Sequence, residues 1–151
     1  MPAAMTGMSH DAVEASMIDA TTAPYGMLIL RVCFGMMFIA HALFNGLLQM
    51  PGTLAFFKSV GLPAWLAYLT MTAELAGAAA LILGIWPRVV ALLLIPFLVG
   101  TIVKAHGRNG WLFSNKGGGW EYPAFWAAAL LVQALVGDGA WVIAPSPSFH
   151  W

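Results

Sequence analysis

The sequence predicts an all-α integral membrane protein, a four-helix up-down-up-down bundle, and three observations carry that reading. Of 151 residues, 61% are hydrophobic and only 8% are charged, with a mean hydropathy of +0.84. Soluble domains hold about 45–50% apolar and about 25% charged residues, and a small domain still exposes about a third of its unfolded-chain surface, too much to hide so apolar a chain. The apolar residues also gather into long runs with short breaks between them. Finally, the runs lack the period-two alternation of a membrane β-barrel. Disorder is excluded, because it needs low hydrophobicity and high charge. Six basic and six acidic residues cancel, leaving no basic field for nucleic acid.

Each span needs about 20 apolar residues. Residues 1–24 read as a flexible, mildly acidic tail: they carry Asp11, Glu14 and Asp19 and no Lys or Arg, unlike a signal peptide. The first span runs from about Tyr25 to Met50 and ends at the turn signals Pro51-Gly52 and Gly61. The second runs from about Leu62 to Trp86, and the third from about Arg88 to Lys104. The break Trp86-Pro87-Arg88 is short enough to make these two an antiparallel hairpin, and Pro96 is expected to kink the third. The fourth runs from about Trp120 to Gly137, with Pro123 in its first turn, where the missing N–H costs little. Residues 25–139 thus form the bundle and 140–151 a C-terminal tail, with both termini on one face. Lys58, Lys104, Arg108 and Lys116 lie toward the opposite face, against Arg88 on the termini side and Arg31 near a helix end. The positive-inside rule then puts loops 51–61 and 105–119 in the cytoplasm and the termini in the periplasm. The tryptophans fall mostly near span ends and read as an aromatic belt.

Ionisable groups at bilayer depth are costly, and they pair or serve function. In the first span, Arg31, Phe34, Phe38, His41 and Asn45 repeat at heptad spacing and share one inward face. The second span has one charge, Glu74, flanked on its helix face by Thr70, Met71, Gly77 and Ala78. At about 1.5 Å per residue, Arg31 lies roughly 9 Å, Glu74 roughly 17 Å and His41 roughly 24 Å from the termini-side boundary. An Arg31–Glu74 ion pair with His41 beside it is expected. Such a cluster either fixes helix register or forms the head of a ligand or quinone site, or a proton relay.

The long connection 104–122 holds Lys104, His106, Arg108, Lys116 and a Gly117-Gly118-Gly119 run. Connections of this length are often functional. It reads as an anion site, a docking surface for a soluble partner, or plain positive-inside charge. It is no P-loop, since GxxxxGK[ST] is absent. No metal-ligand spacing is present, and the single cysteine, Cys33, excludes a CxxC pair or a disulfide framework.

In order along the chain, LILRVCFGMMFIAHAL, GLPAWLAYLTMTAELAGAAALILGIWPR, NGWLFSNKGGGWEYPAFW and the closing Gly137-Asp138-Gly139 resemble the DoxX family of small four-helix bacterial membrane proteins. The resemblance implies a place in the cytoplasmic membrane and a link to membrane redox and sulfur metabolism. It further implies thiosulfate:quinone oxidoreduction beside a terminal oxidase, or anchoring of soluble partners such as a superoxide dismutase and a sulfurtransferase. The matching blocks contain Arg31, His41 and Glu74, the acid–base candidates. Phe34, Phe38, Asn45, Thr70, Glu121 and Tyr122 are the ligand-contact candidates, and Lys104, His106, Arg108 and Lys116 the docking candidates. The expected function is a subunit of a membrane redox or sulfur-metabolism complex with a quinone or small apolar ligand in the bundle. The alternative is a non-catalytic anchor or assembly factor that docks a partner through loop 104–119; whether the chain is an enzyme stays open. Its expected partners are the lipid bilayer, a soluble redox protein and a second copy of itself.

Overall fold

The computed structural model describes residues 19–148. Most of the expected N-terminal tail, residues 1–24, lies outside the described residues. Helix α1 spans Ala23–His41, with Pro24 in its first turn, where proline's fixed φ suits a helix start. A π-helical turn over Ala42–Gly46 and a 3-10 turn over Leu47–Gln49 carry the chain into the short helix α2, Met50–Ser59. Helix α3 is Ala64–Leu83 and α4 is Pro87–Thr101. A second π turn, Ile102–His106, and a second 3-10 turn, Gly107–Asn109, follow α4. After the irregular loop comes α5, Glu121–Val136.

Three helical stretches are long and apolar enough to cross a membrane: Ala23–Ser59, Ala64–Leu83 and Pro87–Asn109. The fourth apolar helix, α5, has 16 residues and rises about 24 Å. Helix α1 packs on α3, α3 on α4, α4 on α5, and α5 closes back on α1. The four-helix, up-down-up-down, all-helical arrangement is therefore as the sequence predicts. Among the described residues the β content is one isolated bridge, Ile85 to Ala144.

One boundary differs. Pro51-Gly52 does not end the first helix in a loop; it opens α2, and the turn comes at Gly61. Proline is at home in a helix's first turn, so the pair that reads as a breaker starts a new helix at a new angle. The broken ladder is mended by Thr53, whose hydroxyl lies 3.0 Å from the Asn45 carbonyl, 3.3 Å from that of Gly46 and 3.2 Å from that of Gln49. Helix α4 runs on through Pro96.

The core holds apolar layers from each helix, with Leu81, Ala91, Leu94 and Leu130 buried. At its centre Trp126 meets Phe38 edge-on at 5.2 Å, Phe34 at 6.1 Å and Tyr122 at 5.2 Å. Trp126 is therefore a core residue and no part of an interfacial belt. It lies on the same inward stripe of α5 as Pro123, Leu130, Gln133 and Ala134. Trp65, Trp86, Trp111 and Trp141 are exposed, as a belt requires.

The chain after α5 straps the termini-side end. The Ala140 amide donates to the Pro24 carbonyl at 2.8 Å, and the amides of Ile143 and Ala144 both donate to Gly84 at 3.1 Å. The Trp86 amide donates in turn to Ala144 at 2.8 Å. Gly84 closes α3 at φ +69°, and a Cβ there would run into the Arg31 guanidinium and the Val142 backbone. Both the left-handed backbone and the closeness of the strap require glycine.

Candidate functional site

His41 ends α1 and Glu74 sits midway along α3. Their side chains meet, Nδ1 to Oε2 at 3.0 Å, with the Glu74 side chain almost fully buried and that of His41 about a third exposed. The meeting follows from helix geometry. Side chains lean toward the N-terminus of their own helix. On antiparallel helices His41 leans toward the termini side and Glu74 away from it, so the two close a gap of several ångströms.

The same lean corrects the expected Arg31–Glu74 ion pair. Arg31 leans away from Glu74, and its guanidinium is spent on backbone carbonyls. One terminal nitrogen donates to Leu81 at 2.9 Å and Ile82 at 3.4 Å; the other donates to Ala140 at 2.6 Å and Trp141 at 2.7 Å. Arg31 is fully buried, and it caps the C-terminal end of α3 where the helix dipole favours a cation. The buried polar groups thus form two separate layers, an Arg31 layer under the strap and a His41–Glu74 layer deeper in.

The His41–Glu74 layer is one end of a cavity of about 520 Å³. Its walls are apolar, with Phe56, Phe57, Leu62, Leu66, Met71 and Phe97. Polar groups are few and come from Asn45, Gln49, Thr53, Thr70, Thr101, Lys104 and His106 besides the pair. Exposed Gln49, Gly52, Phe56 and Lys104 lie at its rim. Thr70 and Thr101 donate to their own helices, to Leu66 at 2.8 Å and Phe97 at 3.0 Å. Their hydroxyl oxygens remain as acceptors.

The sequence candidates divide accordingly. His41, Glu74, Asn45 and Thr70 come together at the cavity. Arg31 stands apart, while Phe34 and Phe38 pack against Trp126 and do not line it. Tyr122 joins the same aromatic cluster, and Glu121 accepts from the Phe113 amide at 2.7 Å, fastening the loop to the start of α5. Arg108 and Lys116 are exposed on the loop. His106 and Lys104 are not simply loop charges; both line the cavity. The loop itself is ordered by side chains on main chain. His106 Nδ1 donates to Gly118 at 2.9 Å, and Asn109 donates to Ala105, Gly117 and Gly118 at 2.9–3.2 Å.

Sequence reasoning missed Gln49, Thr53, Phe56, Phe57, Phe97 and Thr101 as cavity residues. Thr53, Phe56 and Phe57 lie on α2, the helix hidden behind Pro51-Gly52, and Phe97 and Thr101 look like any other residues of an apolar span. Both π turns contribute to the cavity wall, through Asn45 and through Lys104 to His106, and π turns are frequent at functional sites. The sequence also gave no reason to single out Gln133, which is fully buried and donates to Gly137 at 2.7 Å. Nor did it reveal the Asp138 carboxylate, which holds Ser146 by amide and hydroxyl at 2.7 and 2.5 Å.

Comparison with known proteins agrees with this architecture. "Putative oxidoreductase CatD" of Bacillus subtilis is 40% identical over 80 residues, which are 52% of this chain and 58% of that protein. "Inner membrane protein YphA" of Escherichia coli is 29% identical over 124 residues, 78% of this chain and 86% of that protein. The chain thus spans little more than half the length of the first relative and most of the second. No solved structure matches it. The DoxX family profile matches residues 26–107, from the second turn of α1 through the second π turn, and this chain belongs to the DoxX family of membrane proteins.

Proposed function

We propose that this chain is a redox-associated subunit of a bacterial inner membrane whose cavity holds a quinone-type ring against His41 and Glu74. The observation that carries the reading is the His41–Glu74 hydrogen bond, 3.0 Å long, at the inner end of the apolar cavity. At about 520 Å³ the cavity lies within the usual range for small-ligand pockets, about 300–1,000 Å³. Phe56, Phe57 and Phe97 suit an aromatic ring, and the imidazole suits its polar oxygen. A quinone supplies two-electron, two-proton chemistry when bound. The part of His41 is to hold or move a proton at that oxygen, and its reference pKa near neutrality fits the task. Glu74 orients the ring through Nδ1 and balances its charge when protonated, as a buried carboxylate beside a histidine does. The printed names of the two relatives, an oxidoreductase and an inner membrane protein, support the same direction. The excess of Lys58, Lys104, Arg108 and Lys116 at the cavity end supports a mouth at the cytoplasmic face with the termini in the periplasm.

The test is binding of a short-chain ubiquinone analogue and of a naphthoquinone to the purified protein in lipid nanodiscs. The Glu74→Gln variant keeps size, shape and an acceptor for His41 Nδ1 but removes the charge that supports a protonated His41, and is expected to bind about tenfold more weakly. Equal binding by wild type and by a variant of unchanged melting temperature would sink the proposal.

A docking reading rests on a separate observation. Between the exposed cations Arg108 and Lys116 the loop also exposes Trp111, Leu112 and Phe113, which suits either a partner's surface or the headgroup region. Replacing Trp111 and Phe113 by Ser should then abolish co-purification of a soluble partner while leaving ring binding intact.

A further inference from the structure

The polarity of the cavity's two histidines says which oxidation state of a ring ligand fits, an inference that rests on the quinone-type reading above. His41 comes from α1 and His106 from the turn after α4, helices that stand diagonally across the bundle. Both line the one cavity. The His106 Nδ1 lies 2.9 Å from the Gly118 carbonyl, which can only accept, so Nδ1 carries the proton. Asn109 holds the same carbonyl at 2.9 Å and fixes it in place. With Nδ1 engaged, Nε2 is the ring nitrogen left for a ligand in the cavity that His106 lines. In a neutral imidazole that Nε2 is an acceptor. The neutral His41 ring is arranged likewise: Nδ1 donates to the Glu74 carboxylate, which leaves Nε2 as acceptor in that protonation state. A histidine's free nitrogen is set by what its other nitrogen does, and here both are set the same way. The oxygen of Thr70 is a third acceptor. Lys104, at the exposed rim, is the cation nearest the mouth, and Tyr122 stands edge-on to the His106 ring at 6.4 Å.

Two acceptors on the wall of one cavity match a ligand with two donors. We propose that the cavity binds the reduced, dihydroxy form of an aromatic ring, a hydroquinone in preference to its quinone. One hydroxyl donates to His41 Nε2 and the other to His106 Nε2. His106 is thereby a ligand-contacting residue and a determinant of specificity, not a docking charge. The size agrees: about 520 Å³ has room for one six-membered ring with its two hydroxyls.

The experiment compares three probes on wild-type protein in nanodiscs without oxygen: 2,6-dimethylhydroquinone, its monomethyl ether and 2,6-dimethylbenzoquinone. The diol should bind about tenfold tighter than the monomethyl ether, which loses one hydrogen bond, and about a hundredfold tighter than the quinone, which loses both. In His106→Asn the side-chain amide still reaches the Gly118 carbonyl but Nε2 is gone, and the preference for diol over monomethyl ether should vanish. His106→Gln, which restores an acceptor at the Nε2 position, should recover part of it. Equal affinity of the wild type for diol and quinone overturns the inference without any variant. An unchanged preference in a folded His106→Asn overturns it too. If all three probes bind equally and respond to Glu74→Gln alone, the quinone-type reading stands and this one falls. If none binds the wild type, both fall.

Discussion

Replacing Arg31 by Met should loosen the strap over the termini-side end of the bundle and leave the cavity end in place. The side chain is fully buried and its four contacts are all main-chain carbonyls. Methionine fills much of the space but donates nothing. The Leu81 carbonyl keeps a second donor, the Gly84 amide at 3.3 Å. The carbonyls of Ala140 and Trp141 lose short bonds of 2.6 and 2.7 Å. Each orphaned acceptor costs about 1–3 kcal/mol. Part of that is offset because a guanidinium, whose Nε has no partner among the described residues, no longer has to be buried. The net loss is about 2–4 kcal/mol, concentrated on residues 138–146. Amide hydrogen exchange in a fixed detergent reads it directly: protection over that segment should fall by a factor of about 30 to several hundred. Arg31→Lys should recover a part, since an ammonium reaches fewer carbonyls. The comparison variant is Glu74→Gln, which should leave exchange at 138–146 untouched, and the double variant should be additive because the two side chains do not meet. Unchanged protection in Arg31→Met would refute the reasoning, and so would a strong coupling between Arg31 and Glu74.

Two further outcomes follow from packing. Trp126→Ala removes the hub of the ring cluster that holds Phe34, Phe38 and Tyr122 and should lower stability by about 3–5 kcal/mol, whereas Trp65→Ala, exposed at the start of α3, should cost under about 0.5 kcal/mol; thermal melts of both variants side by side check the contrast. Gly119→Ala would drive a Cβ into the carbonyls of Trp111 and Leu112 and should cost about 1–3 kcal/mol while increasing protease cutting within 107–120, so an unaltered cleavage pattern would contradict the packing of that loop.

The helices themselves were legible because a bilayer demands long apolar runs, and the runs around Met27, Ala78, Leu94 and Leu130 have no other reading. Glu74 and His41 were legible for the converse reason: a charge or imidazole in such a run stands out. What spacing could not show was who meets whom. Depth along straight axes puts Glu74 between Arg31 and His41, and only the lean of side chains toward their own helix N-terminus decides for His41. The strap was hidden because Arg31's partners are main-chain carbonyls, which every residue carries and no letter reveals. The place of His106 on the cavity wall was hidden for a similar reason. A basic letter in a long loop looks like surface charge until the Gly118 carbonyl fixes where its ring stands. Helix α2 was hidden behind Pro51-Gly52, letters that open a helix as readily as they close one.

The aromatic cluster of Phe34, Phe38 and Trp126 fills the bundle just beyond the His41–Glu74 layer, and past it Arg31 is stitched to the strap. The cavity is therefore a cul-de-sac. Whatever enters between α2 and the end of α4 leaves by the same door, and nothing the size of a ring crosses from one face to the other through a single chain. The molecule is built as a vestibule in one leaflet.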